Sequence, residues 1–367
     1  MSLSPAEPTT LSLVARRLSG DTPFGSHEYI SVSVAGVYMQ LLTVLAGECR
    51  GAGRLLDALG GSSSVQQQLV LRDSLLRRTI EDGIGTVVHG VDSIGRAELD
   101  GLLDSAAKAT LTDQGTLLGE LAATVPFARR PSAQGSVWLS GPPENSAAER
   151  FEGQVLKRLP QFRFHTPTED QVRTLVEANR LASLIAPEVA HSAISHACVV
   201  IVGEFQGAEH LFNALTLPGL AGVIVLSPDA FKDGIDMAET LVHESTHLKF
   251  LDIDYIQPLF APGFRPETSP LVTPAWHESD SVSGGWPYDR VLTSMHVYLT
   301  LAVFFGNARL HVHEDAYTVD YAHARAAQCR TRGAWLFEAA QPHRELLTLA
   351  GRQFLVGIGE MLAALES

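Results

Sequence analysis

His243 and His247 stand four residues apart, and that interval constrains the chain more than any other feature. On an α-helix, residues four apart differ by about 40° in direction and about 6 Å along the axis. Two imidazoles so spaced stand side by side, which neither a strand nor a loop would arrange. Met237 to Phe250 has helical apolar spacing, and no Pro or Gly interrupts it. The string His243-Glu244-Ser245-Thr246-His247 therefore reads as part of one helix that starts after Gly234 and ends near Phe250. The paired rings can chelate one divalent ion. Glu244 points near the same place, where it accepts a proton from bound water or holds a ligand.

Two histidines rarely hold a catalytic ion alone, so a third ligand is expected. Phe250 and Ile253 occupy the positions where an extended motif would place its glycine and third histidine. Glu267 and Glu278 lie in a proline-rich segment and suit a helical ligand poorly. His296 is the better candidate, 49 residues beyond His247 (296 minus 247) on a helix apolar enough to pack against the motif helix. His277 and the cluster His311-Val312-His313-Glu314 are weaker rivals. Three nitrogen donors with open positions suit zinc and hydrolysis as well as iron and oxygen chemistry, and spacing alone does not choose.

The rest of the chain supplies the setting. Tyr29 to about Leu121 reads as several helices punctuated by glycine turns. Pro126 to Pro143 reads as a boundary. Thr166-Pro167-Thr168-Glu169 predicts a helix start running to Ile185. Ala197–Val202 and Val223–Leu226 are β-branched runs that predict strands. Asp252 to Tyr288 holds prolines at 258, 262, 266, 270, 274 and 287 and reads as a long loop fit for a lid. Asp289 to Phe305 is apolar nearly all round and predicts a buried helix. The expected fold is mainly α with a small β-sheet (α+β), the motif helix packing on a second buried helix in a zincin-like local arrangement. The expected division is 1–130 helical, 131–165 linker or irregular, and 166–367 metal-binding.

With 41 acidic against 27 basic residues the net charge is -14, which argues against nucleic-acid or anionic-membrane partners. No segment reads as a signal peptide or a bilayer span, and three separated cysteines make no disulfide framework. A cytoplasmic protein is expected.

The stretch Ala238 to Leu248, preceded by Gly222-Val223-Ile224-Val225-Leu226-Ser227, resembles the H-E-x-x-H proteins encoded beside ribosomally made peptide natural products (RiPPs). Trp286-Pro287, Arg290 and Val291 to Tyr298 resemble that family's tryptophan-proline, arginine and histidine-bearing helix. The resemblance covers about 221–305, and Met295 departs from its pattern. Some members are understood as Fe(II)- and 2-oxoglutarate-dependent hydroxylases of a β-carbon in a precursor peptide. It implies that His243, His247 and His296 bind Fe(II). It implies too that Arg290 holds the distal carboxylate of 2-oxoglutarate, although six residues separate Arg290 from His296 on one helix; Arg265 and Arg309 are alternatives. Glu244 would orient a ligand or water. Val223–Leu226 could take an extended peptide as an added strand, and the N-terminal helices either recognise a leader peptide or make a homo-oligomer. The competing reading is a zinc metallopeptidase with Glu244 as general base.

Overall fold

The computed structural model describes residues 7–20, 23–111, 122–126, 136–140, 146–205, 213–231, 234–276, 285–311 and 316–366. The fold is mainly helical with a small mixed sheet, as the sequence predicts. By compactness the chain divides into two units whose limits differ from the divisions expected at 131 and 166. One comprises Glu28–Arg180 and Ser195–Thr240; the other comprises Met1–His27, Leu181–Ile194 and Leu241–Ser367.

The first, sheet-bearing unit opens with α2 (His27–Ala46), following α1 (Pro8–Ser19) of the other unit. It continues through α3 (Arg50–Gly60), α4 (Ser64–Leu71), α5 (Ser74–Val87) and α6 (Arg96–Leu111). Next come β1 (Ala122–Pro126), β2 (Ser136–Ser140), α7 (Ser146–Arg158), β3 (Phe162–His165) and α8 (Glu169–Ile185). After α9 (Pro187–Ile194) the chain forms β4 (Val199–Phe205), β5 (Ala214–Thr216) and β6 (Val223–Leu226). The expected linker thus contains a helix and two strands. Its Gly and Pro punctuation hides Phe151 and Val155, which lie one helical turn apart and are both buried.

The sheet runs β1-β2-β4-β6-β5, with β3 also on β4. β2, β4 and β6 are parallel neighbours, while β1, β3 and β5 pair antiparallel. β6 is buried throughout, as its unbroken apolar run requires. It is bonded to β4 on one side and β5 on the other. It therefore has no free edge for an added peptide strand, which corrects that expectation. Gly222 turns the chain into β6 at φ +76°, where a Cβ would also meet Cys198 Sγ at 2.7 Å. The helix start at residues 166–169 lies two residues later than expected. Thr168 caps α8, with Gln171 N–H donating to Thr168 Oγ1 at 3.2 Å and Thr168 N–H donating to Gln171 Oε1 at 2.9 Å. Thr168 and Gln171 form a reciprocal capping box, whereas Thr166 does not.

The helical unit contains α1, α9, most of α10 (Gly234–Ile256), α11 (Tyr288–His311), α12 (Ala316–Ala340) and α13 (Leu349–Glu366). α10 extends six residues beyond Phe250, because no helix breaker occurs before Pro258. The segment expected to be a loop is fastened at both ends. Phe260 bridges to Leu347 and Val272 to Trp286, with a 3₁₀ turn at Pro266–Thr268 between. α2 and α11 are, by length and composition alone, apolar enough to cross a membrane. α11 owes this to being a core helix, with Val291, Leu292, Met295, Leu299, Val303 and Phe304 buried.

Candidate metal centre

α10 turns Leu241, Val242, Ser245, Leu248 and Phe250 into the core and leaves His243 and His247 partly exposed. Thr246 Oγ1 donates back to the Val242 carbonyl at 2.7 Å, which satisfies a hydroxyl on the buried side. The two imidazoles meet as their spacing predicts, with ring centroids 5.0 Å apart and Nε2 atoms 3.2 Å apart. Two nitrogen donors at that separation, each about 2.05 Å from an ion, would subtend about 100° there, within the range of tetrahedral and octahedral sites. Without an ion, the same distance lets one neutral ring donate to the other.

His247 is held from behind by α11, with Nδ1 3.1 Å from Thr293 Oγ1. A Nδ1–H donated to that hydroxyl leaves Nε2 with its lone pair toward the pair's focus. Burial lowers both imidazole pKa values, to about 4 for His243 and about 3 for His247. The Arg325 charge adds to the shift at His243, while His243 and Arg290 add to that at His247. Both rings are therefore neutral near pH 7, the form that ligates metal. The His243 side chain keeps 36% exposure, so water reaches the outer edge of the site.

Glu244 is 6% exposed, and burial raises its carboxyl to about 8. Its Oε1 lies 3.9 Å from His243 Nε2. With the acid protonated and the imidazole neutral, this is a contact between uncharged groups.

His296 is buried on α11 against aromatic rings from two helices. Its ring lies 5.5 Å from that of Phe354 and 6.4 Å from that of Phe250, with 2% exposure. Among the described residues, no group of three or more His, Cys, Asp or Glu side chains is arranged to hold a metal ion. On α11, Arg290 and His296 lie three residues to either side of Thr293, each about 60° from it around the helix. Glu267 and Arg265 are exposed at the 3₁₀ turn. His277, Glu278, His313 and Glu314 lie outside the described residues, and Arg309 and His311 end α11.

Sequence reasoning missed Thr293, Arg325 and Lys249. Helical spacing from Arg290 would have found Thr293; Arg325, on α12, had no local signal. Lys249 lies two residues past His247, on another side of α10, and is buried. Its Nζ donates to the Leu18 carbonyl at 2.6 Å, the Gly25 carbonyl at 2.8 Å and Ser192 Oγ at 2.8 Å. Burial lowers its pKa to about 7, yet three acceptors match the three protons of the ammonium form. Lys249 thus pins α1 and α9 behind the motif helix.

The chain matches no protein-family model, and no curated protein is significantly similar to it.

Proposed function

We propose that the protein is a non-haem Fe(II)- and 2-oxoglutarate-dependent oxygenase that hydroxylates a residue of a ribosomally made peptide. The observation that carries this reading is a two-nitrogen metal seat, Nε2 to Nε2 3.2 Å, backed by Thr293 on the helix that also carries Arg290. A positive field beside a metal seat suits an anionic cosubstrate, which hydrolysis by metal-bound water does not need. His243 and His247, with His296 as the proposed third ligand, would hold the ion, and iron, when bound, supplies the oxygen-activating redox chemistry.

The other residues position, and their tasks follow from the contacts. Thr293 fixes the His247 ring. Arg290, with its guanidinium 4.6 Å over the Trp286 ring, offers a carboxylate the planar fork that a lysine lacks. Glu244 keeps its proton beside His243 and orients what lies there. The test is anaerobic reconstitution with Fe(II), followed by thermal melting with and without 2-oxoglutarate. Binding of the cosubstrate raises the melting temperature, and His247→Ala removes both iron retention and that rise. Oxygen-dependent succinate release, with a peptide mass gain of about one oxygen atom, completes the case. Zinc retention without a 2-oxoglutarate effect rejects it.

One observation favours a zinc peptidase instead: the Glu244 carboxyl stands beside His243, where a general base would stand. Glu244→Gln separates the two, since it abolishes cleavage by a peptidase but leaves a hydroxylase active.

A further inference from the structure

Three of the four tryptophans gather on one half-buried patch of the helical unit. Trp276 meets Trp286 at 6.2 Å, Tyr298 at 5.9 Å and Trp335 at 5.4 Å, all edge-on. Arg332, from α12, lies over the faces of Trp276 at 5.1 Å and Tyr298 at 5.7 Å, and donates to Tyr298 Oη at 3.4 Å. Arg332 is held by these rings and the Tyr298 hydroxyl, while Arg290 also feels the Asp289 carboxylate beside it. Stacking on rings holds a guanidinium plane fixed while its edge N–H groups remain available to donate.

We propose that Arg332, framed by Trp276, Tyr298 and Trp335, is a recognition site for a carboxylate side chain of the peptide substrate. The proposal rests on the peptide-substrate reading above and adds the class of peptide. Tyr298 is five residues from Thr293, about 8 Å along α11 and about 140° around it, so a peptide reaching both would cross from one side of the helix to another. Arg290, closer to the pair, is left for the cosubstrate.

The experiment is a titration of intrinsic tryptophan fluorescence in the full-length, metal-free protein. Two capped tripeptides serve as probes, alanine-glutamate-alanine and its glutamine counterpart, with inorganic phosphate as a third. The glutamate peptide binds at least about tenfold more tightly than the glutamine one at low salt. Arg332→Gln reduces that ratio below about twofold, while Arg290→Gln preserves it. If Arg332→Gln does not fold, the wild type still decides, because half-molar salt must pull the ratio toward one. Equal affinities, a salt-insensitive ratio, or a ratio lost in Arg290→Gln but kept in Arg332→Gln overturns the proposal. So does binding of phosphate without binding of the glutamate peptide. Neither iron nor turnover enters the measurement, so failure here is distinct from failure of the oxygenase reading.

Discussion

In the sheet-bearing unit Arg54, Arg78 and Arg150 end on carboxylates, whereas Arg290 and Arg332 of the helical unit end on aromatic rings. Asp82, 3% exposed, takes ion pairs from Arg78 and Arg150 and a hydrogen bond from Gln154 at 3.3 Å. Arg150 also reaches Glu98, and Arg54 is paired with Asp104. These contacts join α7 to α5 and α6, and they are fully used in holding the unit together. Arg290 and Arg332 instead lie over Trp286 and Trp276. Stacking fixes their geometry without neutralising their charge. The difference teaches how to tell structural cations from available ones: the former are matched by buried acids, the latter are only positioned.

The largest effect should come from breaking the paired side. Asp82→Ala removes the buried acid shared by Arg78 and Arg150, which keep only Glu81 and Glu98, and should lower the unfolding free energy in urea by about 2 kcal/mol. Arg332→Gln should cost less than about 1 kcal/mol, the value of a half-exposed cation–π contact. Equal losses would erase the contrast.

A second effect concerns pH. The Glu244 carboxyl, raised to about 8, keeps its proton in the folded state, while the unfolded chain releases it above the ordinary carboxylate range. Across that interval folded Glu244 binds more protons, so its own contribution to the stability of the metal-free protein falls as pH rises toward 8. The depressed His243 and His247 act with the opposite sign until their unfolded forms lose their protons above about pH 6.5. The slope is at most about 1.4 kcal/mol per pH unit for one proton. Urea unfolding at pH 6 and pH 7 should show this loss reduced in Glu244→Gln. An unchanged slope would mean that the carboxylate is already ionised in the fold.

Thr293→Val removes the partner of His247 Nδ1 and should weaken iron binding about tenfold, measured by anaerobic titration. Unaltered affinity would show that the hydroxyl does not orient the ring. The smallest expected change is in Arg290→Gln, whose melting temperature without ligand should stay within about 2 °C of the wild type, given a contact of under about 1 kcal/mol.

Much of the fold was legible where local rules act alone. The alternation of helices, the strands at Val199 and Val223, and the continuity of α10 through His243 and His247 follow from periodicity and the absence of breakers. The boundary region misled because glycines and prolines were read as a linker, although Phe151 and Val155 carried the helical signal. The division into units could not be read at all, since it assigns α1 and α9 to the far end of the chain.

The sequence by itself determined the paired imidazoles, because a four-residue interval on a helix leaves the rings little choice of neighbour. Tertiary structure alone decided what faces that pair. The docking of α11 sets Thr293 against His247 and packs His296 against Phe250 and Phe354. The docking of α12 brings Arg325 within range of His243 and lays Arg332 on Trp276. Helical spacing fixes angles within one element, but the facing of one helix toward another is set by packing across residues far apart in the chain.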